Sequence, residues 1–305
     1  MSRDPRARVV GALVAVQVLF GVHYFVAKIL LEFIPPRAWA VLRVTAAAGI
    51  LFAVAGLFRR KLPSAPADLW RLAAFAIFGV VINQVCFVEG LWRTTPAHSS
   101  IIMTTTPVAA LLFGVLLKRE SCDVWKVLSL AVSFVGVMLV VLGGRPVGIE
   151  LAVEGARTRM IVGDILTLIN ALSYSFFLVI SKRLLTRTDP VGATAVLLGF
   201  GAVGILAVGA PALAAAPLSE VPARVWALGG FIVVFPTALA YLLMYWALAR
   251  VDSYLVALFI YLQPLIASGL SAALLRERIG APIVAGGGLI FLGVYLALRP
   301  WRRPA

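Results

Sequence analysis

The sequence predicts an all-α integral membrane protein, with ten transmembrane helices forming two inverted five-helix repeats. Three observations carry this expectation. The 305 residues are 62% hydrophobic and only 13% charged, with a mean hydropathy of +1.02, whereas soluble domains run at about 45 to 50% apolar and about 25% charged. The apolar residues gather into ten runs, each near the 20 or so residues needed to cross a bilayer core as a helix. One of those runs, PVAALLFGVLLKRE at Pro107 to Glu120, has a second copy, PLIASGLSAALLRE, at Pro264 to Glu277.

The first run, Val9 to Leu31, follows Arg3, Arg6 and Arg8 like the core of a signal peptide. It is about twice the length of such a core and is read as a retained span. The remaining runs are Pro36 to Leu57, Leu72 to Leu91, Ala97 to Leu117, Val124 to Leu142, Ile161 to Leu184, Pro190 to Ala212, Val225 to Leu248, Tyr254 to Leu274 and Ala281 to Leu298. The longest polar connection, Gly143 to Arg159, divides them five and five. This gives a first repeat over 1–145, a loop over 146–160 and a second repeat over 161–305.

Basic residues favour cytoplasmic loops. With the N-terminus inside, seventeen of the 27 Lys and Arg fall in inner segments and eight in outer ones, so both termini are expected in the cytoplasm. Much of the formal charge of +14 then sits against anionic lipid headgroups. Outside the spans no basic groove with interleaved aromatics remains to bind nucleic acid. Cys86 and Cys122 are isolated thiols, without the spacing of a metal site or a disulfide framework. No metal and no cofactor are expected.

The duplication extends beyond the quoted stretch. Arg93, Pro107, Glu120, Phe134 and Gly136 recur 157 residues later as Arg250, Pro264, Glu277, Phe291 and Gly293. Lys28 and Pro36 recur 154 residues later as Lys182 and Pro190. An odd number of spans per copy starts the second copy on the opposite side of the membrane, so the repeats are inverted. Inverted repeats that hold a solute near the midplane, between interrupted helices, are a recurring design of secondary transporters. Pro107 and Pro264 each lie ten residues into their run, roughly 15 Å along a helix and half of a 30 Å core. Each proline removes a helix hydrogen bond and pushes on the carbonyl four residues back. Irregular backbone at that depth needs protein or a cavity beside it.

With FGVHYFVAK in the first run, PPRAWAVLRVTAAAGILF in the second, GLWRTTPAHSSIIMTTTPVAALLFGVLLKRE, GDILTLINALSYSFFLVISKRL and PLIASGLSAALLRE, the chain resembles the drug/metabolite transporter superfamily in its EamA-type branch. The resemblance covers nearly the whole chain. It implies an inner-membrane carrier of bacterial type working by alternating access, whose central cavity is lined by helices 1, 3, 4, 6, 8 and 9. Members export amino acids and other metabolites, take up small solutes, or move drugs. One departure is Phe20 before Gly21, where the family often has Trp.

The polar residues inside the runs are the candidates for function. His23, Arg43, Glu89 and His98 fall in the outer half. Arg43 and Glu89 lie at depths that allow an ion pair; alternatively Glu89 is a proton-coupling carboxylate with His23 or His98 as relay. Lys28 and Lys182 are expected to snorkel to the headgroups, and Glu120 and Glu277 to sit solvated or ion-paired in turns. Asn83, Gln84 and Asn170 read as helix-to-helix glue, with a cavity role also open. Gln263, beside Pro264, has a cavity role at least as well supported. Phe20, Tyr24, Phe87, Tyr174, Tyr241, Tyr245 and Tyr261, with Asn83, Thr105, Thr106 and Gln263, form the expected substrate-binding set. Pro107 and Pro264 are the expected gating breaks. As a set they suit a neutral, zwitterionic or amphiphilic small solute rather than a polyanion. Ser129, Ser133, Gly136, Gly286 to Gly288 and Gly293 point to close helix packing, with a homodimer surface left open.

Other classes are disfavoured. The sequence has no HExxH, no GxSxG, no intramembrane pair of aspartates and no ATP-binding motif, so an embedded enzyme or a primary pump is without support. The duplication argues against a receptor. The expected function is a secondary transporter of a small metabolite, an exporter of amino acids or related amphiphilic or neutral solutes. A drug, sugar-like or organic-cation permease, or a channel, is the alternative.

Overall fold

A computed structural model describes residues 5–143, 156–266, 269 and 281–298; for 5, 97, 98, 141–143, 156, 157 and 283 the backbone alone is described. Among the described residues every regular element is a helix. Among these residues seven helices are long and apolar enough to cross a membrane, and three shorter apolar helices, Val124–Val140, Ser253–Ile266 and Val284–Leu298, accompany them.

In chain order the elements are α1 (Pro5–Leu30), α2 (Pro36–Leu57), α3 (Pro66–Arg93), α4 in two pieces (Pro96–Met103 and Thr106–Leu116), α5 (Val124–Gly143), α6 (Ala156–Leu185), α7 (Pro190–Ala214), α8 (Ala223–Leu248), α9 (Ser253–Ile266) and α10 (Ala281–Leu298). Their ends follow local chemistry. Helices α2, α3 and α7 begin on Pro36, Pro66 and Pro190, where a missing N–H costs nothing. Asp189 caps α7 by accepting from the N–H groups of Val191 and Gly192, both at 3.0 Å. Beyond α2 and α4 the chain turns out through Arg59 and Lys118 in left-handed conformation, at φ 49° and 53°, cations beside the negative ends of those helices. Three helices start four or more residues earlier than expected: α1 at Pro5 instead of Val9, α3 at Pro66 instead of Leu72, and α6 at Ala156 instead of Ile161, so part of the expected inter-repeat loop is helical.

The bundle buries a set of polar side chains within its apolar core and is apolar without. Leu57, Val124, Val203, Val284 and Phe291 are exposed, while Gln17, Asn83, Gln84, Asn170 and Gln263 are buried. That inversion suits a lipid surround, since a soluble monomer rarely exposes so continuous an apolar surface. Helix α2 packs on α7, α5 on α10, α3 on α6, α1 on α8, and the second piece of α4 on α9. Small residues allow the closest of these contacts: a methyl on Gly136 of α5 would lie 2.6 Å from the carbonyl oxygen of Gly286 in α10.

Four helices leave α geometry within the bundle. Residues Ile77–Ile82 of α3 and Val233–Leu239 of α8 form π-helical turns, widenings that occur frequently at functional sites. The hydroxyl of Thr237 donates to the Ile232 carbonyl at 2.7 Å, and that of Ser173 to the Phe78 carbonyl at 2.8 Å, serving backbone acceptors at the widened turns. Helix α4 stops at Met103 and restarts at Thr106, with Pro107 in the first turn of the second piece. There the hydroxyls of Thr104 and Thr105 donate to the carbonyls of Ile101 and Ile102 at 2.6 and 2.8 Å. Helix α9 tightens to a 3-10 turn over Phe259–Tyr261, just before Pro264. Most of the second copy of the repeated stretch, Glu277 included, lies outside the described residues.

Candidate substrate-binding site

The breaks and widenings converge on one internal cavity. Met103 lies at the break of α4, Pro236 in the π turn of α8, Ile260 in the 3-10 turn of α9, and Asn83 and Gln84 just past the π turn of α3; all line the cavity. Its volume is about 60 Å³. One bound water needs roughly 10 to 15 Å³, so the space takes a small solute or a few waters.

One wall is aromatic. Phe20, Tyr24, Phe87, Tyr174 and Tyr241 all face the space. The rings of Phe20 and Tyr241 meet edge to face at 6.3 Å, and those of Tyr24 and Phe87 at 5.5 Å. The hydroxyl of Tyr174 donates to the sulfur of Met244.

A second wall is a chain of amides. Asn83 Nδ2 donates to Asn170 Oδ1 at 2.6 Å, and Gln84 Nε2 donates to Asn83 Oδ1 at 2.7 Å and to the hydroxyl of Tyr241. The Tyr241 hydroxyl donates in turn to Asn83 Oδ1 at 3.1 Å, and Asn170 Nδ2 lies 3.6 Å from the sulfur of Met103. This network joins α3, α4, α6 and α8. Across the cavity Gln263 Nε2 donates to Gln17 Oε1 at 2.7 Å, joining α9 to α1. Two acceptors, Gln84 Oε1 and Gln263 Oε1, are buried without a hydrogen-bond partner.

The charged residue of the site is Arg43, 1% exposed. Its Nη1 donates to His23 Nε2 at 2.8 Å and its guanidinium sits 5.6 Å from the centre of the Phe87 ring. A guanidinium only donates, so Nε2 of His23 accepts and the imidazole carries its proton on Nδ1.

Glu89 does not meet Arg43, and the expected pair is corrected here. The Glu89 carboxylate takes Arg37 Nε at 2.8 Å and also bonds Arg93, one turn along its own helix. Counting residues gives a position along a helix, but azimuth around α3 directs Glu89 to Arg37 and Arg93. Glu89 does not line the cavity, and the His98 side chain lies outside the described residues.

Other expected residues fall just beyond the cavity wall. Tyr245 packs on Phe177 and Tyr241, at 5.4 and 5.6 Å between ring centres. Tyr261 is fully buried, and the hydroxyls of both tyrosines lack partners. Thr105 caps the end of the first piece of α4, Thr106 is fully buried, and Pro107 and Pro264 are buried beside the cavity-lining Met103 and Gln263 turns.

Two further expectations change and a third is met. Lys28 does not reach for headgroups: its ammonium donates to the carbonyls of Leu91 and Thr94, both at 2.7 Å, closing the C-terminal end of α3. Lys182 lies 2.8 Å from Asp252, the residue that precedes α9. Glu120 takes the ion-paired place of the two expected for it: its side chain is 1% exposed, lies 3.9 Å from the Lys182 ammonium and accepts from the N–H of Ser253 at 2.6 Å.

The comparisons with known proteins agree with this architecture. The EamA-like transporter family matches residues 8–142 and again residues 161–299. A protein of Archaeoglobus fulgidus named uncharacterized transporter is 27% identical over 270 residues, covering 88% of this chain and 90% of that one. One from Escherichia coli (strain K12), named uncharacterized inner membrane transporter YedA, is 26% identical over 303 residues, covering 97% and 92%. A solved structure superposes with a TM-score of 0.74 at 18% identity, over 98% of this chain and 100% of its own, which speaks to the fold alone. With two matches that together span most of its length, the chain belongs to the EamA-like transporter family.

Proposed function

We propose that this protein is a secondary carrier of a small metabolite, working by alternating access between two inverted five-helix repeats, 1–145 and 161–305. The observation that carries the reading is the polar and aromatic cavity at which irregular turns from both halves meet. Carriers bind between interrupted helices because a broken or widened helix both presents polar backbone and bends without unfolding.

The irregularities correspond between halves. The π turns begin at Ile77 and Val233, and the breaks precede Pro107 and Pro264. Lys28 and Lys182, equivalent in the repeat, each tie down a helix end, Lys28 the C-terminal end of α3 and Lys182 the Asp252 that precedes α9. In an inverted arrangement these ties stand at opposite faces of the membrane, where paired gates belong. The excess of basic residues in alternate loops supports cytoplasmic termini, and the relative named for the inner membrane supports that location.

The aromatic wall with a few amides and hydroxyls favours amino acids or related amphiphilic and neutral solutes, with export as the direction. Counterflow in proteoliposomes of purified protein, over a panel of amino acids and amphiphilic cations, tests this. The expected result is saturable exchange of at least one solute, which also separates a carrier from a channel. Folded protein without saturable flux of any solute counts decisively against it.

A further inference from the structure

We infer that the solute bound in the cavity carries a single carboxylate, or an equivalent monoanionic group, and that Arg43 is its anchor. The inference rests on the carrier reading of the cavity and adds the charge of the ligand to it.

Arg43 is 1% exposed and permanently protonated. A buried cation is strongly disfavoured unless an anion or a full set of hydrogen bonds accompanies it. Neither is present. Among the described residues no carboxylate lines the cavity or pairs with Arg43. Glu89, the acidic residue at comparable depth, is taken by Arg37 and Arg93. Of the guanidinium's partners, His23 is neutral, because its Nε2 accepts, and Phe87 offers only a ring. Arg43 Nε has no acceptor at all. A cation held at a cavity wall with an unmet donor and no counter-charge is completed by a ligand oxygen. The planar fork of arginine favours a carboxylate, which accepts two parallel N–H bonds.

The remaining polar groups limit the ligand further. Among the described residues no second cation lines the space, so one negative charge is the matched load and a polyanion is disfavoured. Gln84 Oε1 and Gln263 Oε1 are acceptors without donors, and they suit an N–H or ammonium group elsewhere on the same solute. The aromatic wall takes its apolar part.

The test compares acids with their neutral derivatives: L-leucine and L-phenylalanine against leucinamide and phenylalaninamide, with 3-phenylpropionate as a carboxylate lacking the amine. Binding is read by thermal stabilisation of the purified carrier and flux by counterflow, in wild type, Arg43→Gln and Arg43→Lys. Loss of one charge-assisted contact corresponds to roughly a 10- to 100-fold weakening. The expected result is that at least one acid binds wild type about 10-fold or more tightly than its amide. In Arg43→Gln that preference falls to within about 3-fold, and Arg43→Lys keeps part of it. Amides handled as well as acids by wild type, or an acid preference unchanged in Arg43→Gln, overturns the anchor and leaves the carrier standing. Acid-selective stabilisation lost in Arg43→Gln, without counterflow, overturns the carrier and leaves the anchor. Stabilisation by chloride alone, or by no probe together with no flux, overturns the anchor.

Discussion

Lys182 and Asp252 meet at 2.8 Å, tying α6 to the turn between α8 and α9. Lys126 reaches the other carboxylate oxygen at 3.1 Å. Burial pushes the Asp252 carboxyl up, but Lys182 and Lys126 together outweigh it and hold it below its ordinary value of 3.8. A carboxyl with a lowered native pKa stabilises the fold above its unfolded pKa, and that contribution is lost as the pH falls through the native value. Because the side chain is 45% exposed, solvent screening limits the gain to about 1 kcal/mol or less. Asp252→Asn is therefore expected to lower the melting temperature in detergent at pH 7 by roughly 1 to 3 °C. That gap closes as the pH drops below about 4. A gap unchanged between pH 7 and pH 3 would show that the ion pair adds nothing.

Glu89 offers a contrasting case, because it is flanked by two arginines and stands away from the cavity. Glu89→Gln removes the charge from both contacts and leaves Arg37 and Arg93 facing each other. A loss of about 1 to 3 kcal/mol in stability is expected, with the pH profile of counterflow unchanged. A shifted profile would return Glu89 to the role of coupling carboxylate.

Gly136 and Gly286 set the distance between α5 and α10. A side chain on Gly136 meets the Gly286 carbonyl oxygen at 2.6 Å and the Ile290 nitrogen at 2.8 Å, both backbone atoms that do not yield by rotation. Gly136→Val is expected to cost about 1 to 3 kcal/mol by forcing the helices apart. Gly288, on the same helix pair, has nothing within 4 Å of an added methyl. Gly288→Ala is the matched control, expected to leave the melting temperature unchanged or slightly raised. Equal effects at the two glycines would remove the steric explanation.

The sequence displayed what depends on composition and spacing and concealed what depends on direction. Apolar runs marked the helices, and Pro107 marked the break of α4 because a proline in the middle of a run removes a helix hydrogen bond and pushes on the carbonyl four residues back. The π turn at Ile77–Ile82 contains no proline. It rests on tertiary contact: Gly79 lies so near the Phe177 ring that an added methyl would overlap it, and Ser173 serves the Phe78 carbonyl. In α8 a signal was available, since Pro236 interrupts an apolar run as Pro107 does. The mistaken pairing of Arg43 with Glu89 arose because axial depth follows from counting residues, whereas azimuth is set by how helices pack. Met103 and Ile260 carried no signal, being apolar residues within apolar runs. Gln17 was visible as an intramembrane amide, yet only the folded chain brings it to Gln263.

Thr106 supplies the sharpest test of motion. It follows the break in α4, is fully buried, and its hydroxyl has no partner, so in this conformation it is shielded from both sides. Alternating access requires that rocking of the halves about the broken helices expose this depth to one aqueous face and then the other. Thr106→Cys is made after replacing the half-buried Cys86 and the exposed Cys122 with serine. It is then treated with a membrane-impermeant maleimide in sealed vesicles of each orientation. Slow labelling is expected from both faces, each enhanced under a solute gradient that holds the carrier open to that face. Adding Pro107→Ala restores a backbone donor in the first turn of the second piece and removes the ring that keeps the two pieces from joining. It is expected to raise the melting temperature while slowing both labelling and counterflow, because a continuous α4 bends less readily. Labelling from one face only, whatever the gradient, would contradict alternating access through this site.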